Sequence, residues 1–395
     1  PRGDIVTMAR ARNPKEPKSV TSANQSQPIR VLAIAGARPN FMKIAPLMHE
    51  FARRPDRFEP ILVHTGQHYD QAMSDSFFRD LGIPEPDVNL GVGSGTHGHQ
   101  TAQVLMKIED LLIERKPHVV LVVGDVNSTI AAALAAVKLD IPVAHVEAGL
   151  RSWDRKMPEE INRVLTDSVS EWLFTTEASA EENLLREGVA ADKIHFVGNV
   201  MIDTLISHRE RAKQLDTVER LGLTPGEYAV LTLHRPSNVD SAEQLRKLFD
   251  VLGQLNREIP VVFPIHPRTA KAIEDNLGGI KPDVQITAPL GYLDFLRLLT
   301  DAQMVLTDSG GIQEETTALG VPCLTLREST ERPVTVTEGT NEIVGTNPAA
   351  IEEAIKKLRS GPKREGRQPK LWDGKAAVRI ADILERDLAG AAANN

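Results

Sequence analysis

Residues 303–315 read Gln-Met-Val-Leu-Thr-Asp-Ser-Gly-Gly-Ile-Gln-Glu-Glu, so a short apolar run ends in polar residues and two glycines before a helical pattern. This order predicts a strand, a tight turn and a helix N-terminus, and Ser309 can cap the first turn. Gly310 and Gly311 leave backbone N–H groups open to an anion such as a diphosphate. Glu315 lies in the first helical turns, where its carboxylate could accept hydrogen bonds from two ribose hydroxyls. The alternative is a capped helix whose acidic residues favour its positive end.

Length and composition place this turn in a globular protein of two domains. The chain has 395 residues, of which 41% are hydrophobic and 25% are charged. A net charge of −8 gives no reason to expect nucleic acid or an anionic membrane as a partner. The single cysteine, Cys323, excludes an internal disulfide, and no apolar run is long enough to cross a bilayer. We therefore expect a cytoplasmic protein without a signal peptide.

The first half of the chain alternates strands and helices, with polar residues where the strands end. The first strand leads into Gly-Ala-Arg-Pro-Asn-Phe-Met-Lys, which puts Arg38 and Lys43 at the mouth of a βα turn. A continuous apolar strand precedes Asp125, the next strand ends at Glu147, and Glu159 opens a helix. In open α/β sheets this carboxyl edge is the ligand side. Carboxylates crowded there raise one another's pKa toward values useful for proton transfer.

The second half repeats the arrangement. Two of its strands deliver His234 and His266 to their carboxyl ends, and Arg327 and Arg332 follow a later strand. Phe295 opens a helix and could stack on a base, although a core aromatic is the commoner role at helical spacing. Two consecutive βα arrays predict two doubly wound domains that face each other across a cleft.

A glycine-rich segment supports a competing hypothesis. Residues 93–98 read Gly-Ser-Gly-Thr-His-Gly and match the spacing of a dinucleotide fingerprint, as in a nicotinamide-dependent sugar epimerase or dehydrogenase. However, the apolar run before this segment is short, and none of the three tyrosines starts a Tyr-x-x-x-Lys pair. His97 and His99 have no cysteine or acidic partner at ligand spacing, so we expect no metal there. These features disfavour the nicotinamide hypothesis.

A series of ordered motifs carries a family resemblance. They are Gly-Ala-Arg-Pro-Asn-Phe-Met-Lys, Thr-Gly-Gln-His, Gly-Asp, His-Val-Glu-Ala-Gly-Leu-Arg-Ser, Pro-Glu-Glu-Ile-Asn-Arg, Leu-His-Arg, Asp-Ser-Gly-Gly-Ile-Gln-Glu-Glu and Thr-Glu-Arg-Pro. Together they resemble the non-hydrolysing UDP-N-acetylglucosamine 2-epimerases, from about residue 30 to residue 390. The resemblance implies the glycosyltransferase B-type architecture of two Rossmann-like domains, usually as a homodimer, with no nicotinamide cofactor and no required metal.

The resemblance also implies a chemistry. Members of this family eliminate UDP across C1 and C2 of the sugar to give a 2-acetamidoglucal, and then add UDP back with the proton on the other face of C2. By resemblance, the catalytic residues are Asp125, Glu147, Glu159 and His234. Those that bind substrate are Arg38, Lys43, Phe295, Ser309, Gly310, Gly311, Glu315, Arg327 and Arg332. To these we add His266, from its place at a strand end.

The predicted reaction is therefore the reversible conversion of UDP-N-acetylglucosamine to UDP-N-acetylmannosamine for a surface polysaccharide. A UDP-sugar glycosyltransferase of the same fold and a nucleotide-sugar sensor without catalysis are alternatives of other classes. A glycosyltransferase needs an acceptor and leaves the C2 proton in place, whereas a sensor has little use for three carboxylates in a cleft.

Two departures from the family leave activation and the sugar open. Many bacterial members bind a second UDP-N-acetylglucosamine as an activator, with Arg-Arg-Glu after the cleft histidine; here His234 is followed by Arg-Pro-Ser-Asn. An activator site in this chain would use Gln67, His68 and Arg235. Residues 151–157 are compact and resemble relatives that act on UDP-2,3-diacetamido-2,3-dideoxyglucuronate. For that sugar, the extra carboxylate should be reached by Arg151, Arg155 or Lys156.

The domain boundaries follow from these assignments. We expect a flexible tail at 1–28, an N-terminal Rossmann-like domain at 29–203, a C-terminal one at 204–365, and a final helical segment at 366–395 that packs back on the body. The first domain is expected to hold the sugar and the acid–base groups, and the second to hold UDP. Residues 202–221 are predicted to be a polar helical linker.

Overall fold

Two parallel β-sheets organise the chain. The computed structural model describes residues 27–36, 38–66, 81–83, 85–278, 283–361 and 366–389. Within these ranges the first sheet has seven strands. They are β1 Ile29–Ala35, β2 Phe58–His64, β3 Val88–Asn89, β4 Val119–Val123, β5 Val143–Ala148, β6 Trp172–Thr175 and β7 Ile194–Phe196. The spatial order is β3-β2-β1-β4-β5-β6-β7.

The second sheet has six strands in the part of the chain that the structure describes. They are β8 Ala229–Thr232, β9 Val261–Pro264, β10 Gln285–Thr287, β11 Met304–Thr307, β12 Cys323–Thr325 and β13 Asn341–Ile343. Their order is β10-β9-β8-β11-β12-β13, and the strand pairs described in both sheets are parallel.

Helices connect the strands and cover both sheets. In the first half they are α1 Arg38–Ala52, α2 His97–Arg115, α3 Asn127–Lys138, α4 Pro158–Val169, α5 Ala178–Arg186, α6 Val200–Lys213 and α7 Thr217–Arg220. In the second half they are α8 Pro236–Val239, α9 Ala242–Asn256, α10 Pro267–Leu277, α11 Tyr292–Thr300, α12 Gly310–Leu319, α13 Pro333–Thr337, α14 Pro348–Ser360 and α15 Ala376–Leu388. No helix among the described residues is both long enough and apolar enough to cross a membrane.

The central strand β4 shows why the first sheet is buried on both faces. Its sequence is Val-Val-Leu-Val-Val, and every residue in it is buried. Leu121 packs in a cluster with residues of α1 and α15, whereas Val120 packs in a cluster with residues of α2 and α3. Alternate side chains therefore serve two cores, which explains a continuous apolar run in place of an alternating one.

The strand order reverses once in each sheet. In the first sheet the reversal lies between β1 and β4, and in the second it lies between β8 and β11. Loops at such reversals, on the carboxyl edge, are where open α/β sheets bind ligands. The predicted α/β class with two doubly wound Rossmann-like sheets is confirmed.

Helix α6 joins the two halves and corrects one prediction. Residues 202–221 were expected to form a polar linker, but α6 buries Ile202 and Leu205 and contacts α1, α11, α12 and α15. The prediction was wrong because the apolar residues of α6 serve several neighbours and leave no simple amphipathic stripe. The boundary proposed after residue 203 falls inside this helix, and the division into domains stays a prediction.

Candidate active site

An irregularity in β5 directs Glu147 toward α1. The neighbouring residues His145 and Val146 face opposite sides of the sheet, since His145 bonds to α4 and Val146 packs with α1. Strict alternation would place Glu147 on the side of His145. Instead, Glu147 has a left-handed φ of 72°, and the strand register shifts around it. The strand was predicted to end at Glu147, but β5 runs one residue further, because this irregularity keeps the pairing going through Ala148.

Two cations from different halves of the chain hold the Glu147 carboxylate. Lys43 of α1 forms an ion pair with one oxygen, and Arg332 Nη2 lies 2.7 Å from the other. Glu147 is 1% exposed. Burial alone would raise the pKa of Glu147, but the charges of Lys43, Arg332 and Arg163 lower it to about 2. Glu147 is therefore a carboxylate at neutral pH.

Gly124 makes room for this ion pair. It has a φ of 66°, and a Cβ at this position would lie 3.2 Å from Lys43 Nζ. Only glycine adopts that backbone conformation without strain and also leaves space for the ammonium group.

Asp125, which directly follows Gly124, is bound by helix α4. Arg163 forms an ion pair with its carboxylate, and Asn162 Nδ2 donates to its carbonyl oxygen at 2.9 Å. Glu159 is half-buried at the start of the same helix. Arg163 was not predicted as a site residue, although it lies one helical turn after Glu159, on the same face, within the Pro-Glu-Glu-Ile-Asn-Arg motif.

Glu160, next to Glu159, has a structural role. Its carboxylate accepts hydrogen bonds from the backbone N–H groups of Ser152 at 2.8 Å and Trp153 at 3.1 Å. It thereby fixes the loop that precedes α4 and leaves Glu159 as the half-buried carboxylate of the pair.

In the second sheet, Asp308 organises the loop after β8. This buried carboxylate accepts hydrogen bonds from the backbone N–H groups of His234 at 3.1 Å and Arg235 at 2.9 Å, and from Asn238 Nδ2 at 3.0 Å. Its other contact is His234 Nδ1, at 2.7 Å. Although burial opposes it, hydrogen bonding and charge from His234 lower the pKa of Asp308. The half-exposed His234 ring is thus fixed in orientation.

The N-terminus of α12 lies beside Arg332. A Cβ on Gly310 would be 3.5 Å from the Arg332 guanidinium carbon, and Ser309, Gly310 and Gly311 are all partly exposed. The positive end of the helix and the guanidinium together suit an anion. One prediction was wrong: Ser309 occupies the N-cap position, but its side chain makes no capping hydrogen bond. Its own N–H donates to Thr307 Oγ1 at 2.9 Å instead, which folds the turn differently.

Two buried acids follow on the same helix. Glu314 Oε1 lies 3.0 Å from Arg332 Nε and accepts from Asn199 Nδ2 at 3.0 Å. Burial, together with the charge of Glu314, raises the pKa of Glu315 to about 8. At neutral pH Glu315 is therefore a neutral acid, which can donate one hydrogen bond as well as accept others. Its role toward a ribose stays a proposal.

Arginines also surround Glu331. Arg327 donates two hydrogen bonds to it, at 3.0 Å and 2.7 Å, and Arg235 Nη2 lies 3.8 Å away. Although burial would raise it, Arg327 and Arg332 lower the pKa of Glu331 to about 2. Three arginines, Arg235, Arg327 and Arg332, therefore lie within 4.0 Å of this carboxylate.

Several predicted residues lie elsewhere or cannot be placed. Phe295 is partly buried and packs against the core of the second sheet, and His266 is exposed at the end of β9. Arg38 begins α1, but its side chain, like Gln67 and His68, lies outside the described part of the chain.

A fourth carboxylate, which was not predicted from the sequence, lies at the edge of the first sheet. Glu177 is buried and lies two residues past the end of β6, the same offset that separates Asp125 from β4. Burial is the main cause that raises the pKa of Glu177 to about 7. The charge of Glu314 raises this pKa further, whereas the charge of Arg332 lowers it. That shared offset was the signal available in the sequence.

The glycine-rich segment at 93–98 lies at the wrong strand for a dinucleotide fingerprint. It follows β3, a two-residue strand at the edge of the sheet, whereas the fingerprint follows the first strand at the centre. His97 bonds to Asn127 there, at 3.1 Å. Across the described ranges, no group of three or more His, Cys, Asp or Glu side chains could hold a metal ion.

The structure also removes Arg151 as a ligand for a sugar carboxylate. Arg151 is buried, donates two hydrogen bonds to Glu187 at 2.8 Å and 2.6 Å, and lies 2.7 Å from Asp167. Its charge is thus already neutralised inside the protein. Arg155 and Lys156 are exposed.

The fold is that of a two-domain α/β protein, with the candidate acid–base groups in one half and the candidate anion-binding groups mainly in the other. Comparison with known proteins identifies the family. A family model for UDP-N-acetylglucosamine 2-epimerase matches residues 49–385. The UDP-N-acetylglucosamine 2-epimerase of Methanocaldococcus jannaschii is 42% identical over 366 residues, which cover 90% of this chain and 99% of the relative. The chain belongs to the UDP-N-acetylglucosamine 2-epimerase family and is an isomerase.

Two further comparisons bear on the fold and on the sugar. The crystal structure of the M. jannaschii enzyme in complex with UDP-GlcNAc and UDP matches with a TM-score of 0.83 and 41% identity, over 91% of this chain and 100% of that chain. A UDP-2,3-diacetamido-2,3-dideoxy-D-glucuronate 2-epimerase of Pseudomonas aeruginosa is 43% identical over 363 residues, which cover 91% of this chain and 100% of the relative.

Proposed function

We propose that this chain interconverts UDP-N-acetylglucosamine and UDP-N-acetylmannosamine by reversible epimerisation at C2 of the sugar. The observation that carries the proposal is the buried Glu147 carboxylate, held between Lys43 of the first half and Arg332 of the second. This arrangement combines a proton-transfer group with two cations that suit a diphosphate.

The reaction that fits these groups is elimination followed by re-addition. A carboxylate takes the C2 proton while the bond between C1 and the UDP oxygen breaks, which gives a 2-acetamidoglucal and UDP. UDP then bonds to C1 again, and an acid returns a proton to the other face of C2. Glu147, Asp125 and Glu159 are the proposed acid–base groups. Arg163 pairs with Asp125 and also lowers the pKa of Glu147, so it links these two carboxylates electrostatically.

In this proposal Lys43 and Arg332 also bind the diphosphate of the substrate. The diphosphate of a bound UDP-sugar is an alternative partner for Lys43 and Arg332, and the nearby N-terminus of α12 adds to its attraction. Once these cations turn toward the diphosphate, Glu147 loses the charges that lower its pKa and becomes a stronger base. Substrate binding would thus activate the carboxylate that removes the proton.

The test is a proton NMR assay of the purified chain with UDP-N-acetylglucosamine and no added cofactor. We expect UDP-N-acetylmannosamine to appear, and the same mixture to form when the reaction starts from UDP-N-acetylmannosamine. A glycosyltransferase would consume neither sugar in this way without an acceptor. Absence of the epimer from both starting sugars would overturn the proposal.

A second candidate is epimerisation of UDP-2,3-diacetamido-2,3-dideoxyglucuronate. It is supported by the P. aeruginosa relative, which is about as similar to this chain as the M. jannaschii enzyme, at 43% against 42% identity. Because Arg151 is neutralised, Arg155 and Lys156 are the remaining cations of that loop for a uronate. We expect the faster rate on UDP-N-acetylglucosamine when both sugars are assayed side by side. A rate orders of magnitude lower than on the uronate would overturn this choice.

For the uronate candidate, the matched test is the Arg155→Ala, Lys156→Ala double variant. If these cations bind the carboxylate, the double variant should lose activity on the uronate and keep its activity on UDP-N-acetylglucosamine. A homodimer, a cytoplasmic location, a role in surface polysaccharide synthesis and an activator site that uses Arg235 stay predictions of this proposal.

A further inference from the structure

We propose that Asp167 is a positioning residue that fixes the three carboxylate-bearing segments of the cleft through a buried ionic network with His145 and Arg151. The inference rests on the proposed function, because it concerns the geometry of the same acid–base groups. None of these three residues carries a role in the reaction described above, and all three are buried.

His145 forms the centre of the network. Its Nδ1 lies 2.7 Å from Asp167 Oδ1, and its Nε2 lies 2.8 Å from the carbonyl oxygen of Gly124. A carbonyl oxygen can only accept a hydrogen bond, and so can an ionised carboxylate. Both contacts can be hydrogen bonds at the same time only when each ring nitrogen of His145 carries a proton.

Asp167 collects donors from three directions. Besides His145, its Oδ2 accepts from the backbone N–H of Gly149 at 3.1 Å and lies 2.7 Å from Arg151 Nη2. Burial would raise the pKa of Asp167, but the charges and hydrogen bonds of His145 and Arg151 lower it. Arg151 Nη2 also lies 2.6 Å from Glu187, an exposed residue, so this guanidinium pairs with two carboxylates at once.

The contacts reach every segment that carries a proposed acid–base group. Gly124 immediately precedes Asp125, Gly149 lies two residues past Glu147, and Asp167 itself lies on α4 with Glu159. The network thus connects the end of β4, the end of β5 and helix α4 through buried contacts.

Glu147 in particular needs such support. A non-glycine residue at a φ of 72° is strained and persists only where the surrounding structure determines its conformation. His145 and Gly149 flank it on either side and are both bound by Asp167. Loss of the Asp167 charge would let this segment relax toward ordinary strand geometry and move the carboxylate.

The test is Asp167→Asn, which keeps the size of the side chain but removes its charge. We expect kcat to fall by about 10²-fold, the scale seen when reacting groups are displaced by about 1 Å. KM and the calorimetric affinity for UDP should match those of the parent, because the described contacts of Asp167 are with His145, Gly149 and Arg151 and not with the groups proposed to bind the diphosphate. A parental kcat would overturn the inference, whereas a parent that forms no epimer would overturn the proposed function instead.

Asp203→Asn is the matched control. Asp203 is also a buried carboxylate that accepts two backbone N–H groups, from Ala376 at 3.1 Å and Ala377 at 2.8 Å, but it serves helix α15. We expect it to lose stability and keep the parental kcat. If both variants lose kcat equally, Asp167 contributes only to general stability and the inference fails.

A spectroscopic measurement decides the question even if Asp167→Asn does not fold. Nitrogen NMR of the histidine-labelled parent, with the His145 signals assigned from a His145→Gln variant, reports the protons on each ring nitrogen. We expect N–H signals at both nitrogens of His145 at neutral pH. A ring with one proton would contradict the network, since one of its two contacts would then lack a donor.

Discussion

At the scale of single residues, Glu147 combines a strained backbone with a carboxylate that two cations hold. We expect Glu147→Gln to lower kcat by at least about 10²-fold, the usual contribution of a general acid or base. The affinity for UDP should be equal or higher, because Lys43 and Arg332 become free for the diphosphate. Steady-state kinetics and calorimetry measure the two quantities.

The control for this variant is Glu50→Gln. Glu50 is also largely buried and forms an ion pair, with Arg54 at 2.7 Å, on the same helix as Lys43 but outside the cleft. It should keep the parental kcat. Equal losses of kcat in both variants would show that removal of any buried ion pair is enough.

Glu315 gives a prediction about pH and stability. Its pKa is about 8 in the folded protein against an ordinary value of 4.5, so the folded state holds its proton more tightly than the unfolded state. The contribution of Glu315 to stability is therefore full below pH 4.5 and is lost as the pH rises to about 8. Glu315→Gln cannot ionise, so its free energy of unfolding should fall less between pH 6 and pH 9 than that of the parent. Urea unfolding at about these two pH values measures the free energy of unfolding of each protein. An equal decrease in the parent and in Glu315→Gln would contradict the raised pKa of Glu315.

At the scale of elements, the backbone at Gly198, between β7 and α6, passes very close to the backbone at Leu371. Gly198 has a φ of 90°, and a Cβ there would overlap the carbonyl oxygen of Leu371, which precedes α15. We expect Gly198→Ala to destabilise the protein by at least about 3 kcal/mol, because strain and overlap act together. Gly188 has a similar φ of 86° but open space around it, so Gly188→Ala should cost only about 1–2 kcal/mol. Thermal or urea unfolding measures both variants, and an equal loss of stability in Gly198→Ala and Gly188→Ala would argue against the close approach of Gly198 to Leu371.

The elements also show what the sequence could and could not predict. The sequence predicts strands at 29–35 and 119–123, and β1 and β4 have these bounds, because each is a largely apolar run with polar residues or glycine after it. The bounds of β5 do not, because the irregularity at Glu147 depends on Lys43 and Arg332, which are distant in sequence. Likewise, α6 reads as polar because its buried positions face several helices at once.

For the site, charged residues at strand ends were predictable and their partners were not. The rule that ligands bind at the carboxyl edge places Asp125 and His234 there without any knowledge of contacts. The pairing of Arg163 with Asp125, and the neutralisation of Arg151 by Asp167, require side chains to meet across elements. Sequence spacing alone contains no information on such long-range contacts.

At the scale of the whole molecule, Arg332 joins the two halves by contacts to Glu147 of the first and Glu314 of the second. Arg332→Gln leaves both buried carboxylates without this cation, so we expect a loss of about 3–5 kcal/mol in the free energy of unfolding. The double variant with Glu147→Gln should recover part of that loss, because one uncompensated charge is removed. Arg359→Gln removes a surface ion pair with Glu258 and should cost less than about 1 kcal/mol. No difference between the Arg332 and Arg359 variants would contradict a buried bridge between the halves.

If the reaction proceeds through elimination, the C2 proton of the UDP-sugar exchanges with solvent in the cleft. Turnover of UDP-N-acetylglucosamine in deuterium oxide, with the product analysed by NMR and mass spectrometry, measures this exchange. We expect deuterium at C2 of UDP-N-acetylmannosamine, with the same label appearing in recovered substrate as the reaction reverses. Product that carries only protium at C2 would contradict the account, because no solvent-exchanging carboxylate could then have handled that proton.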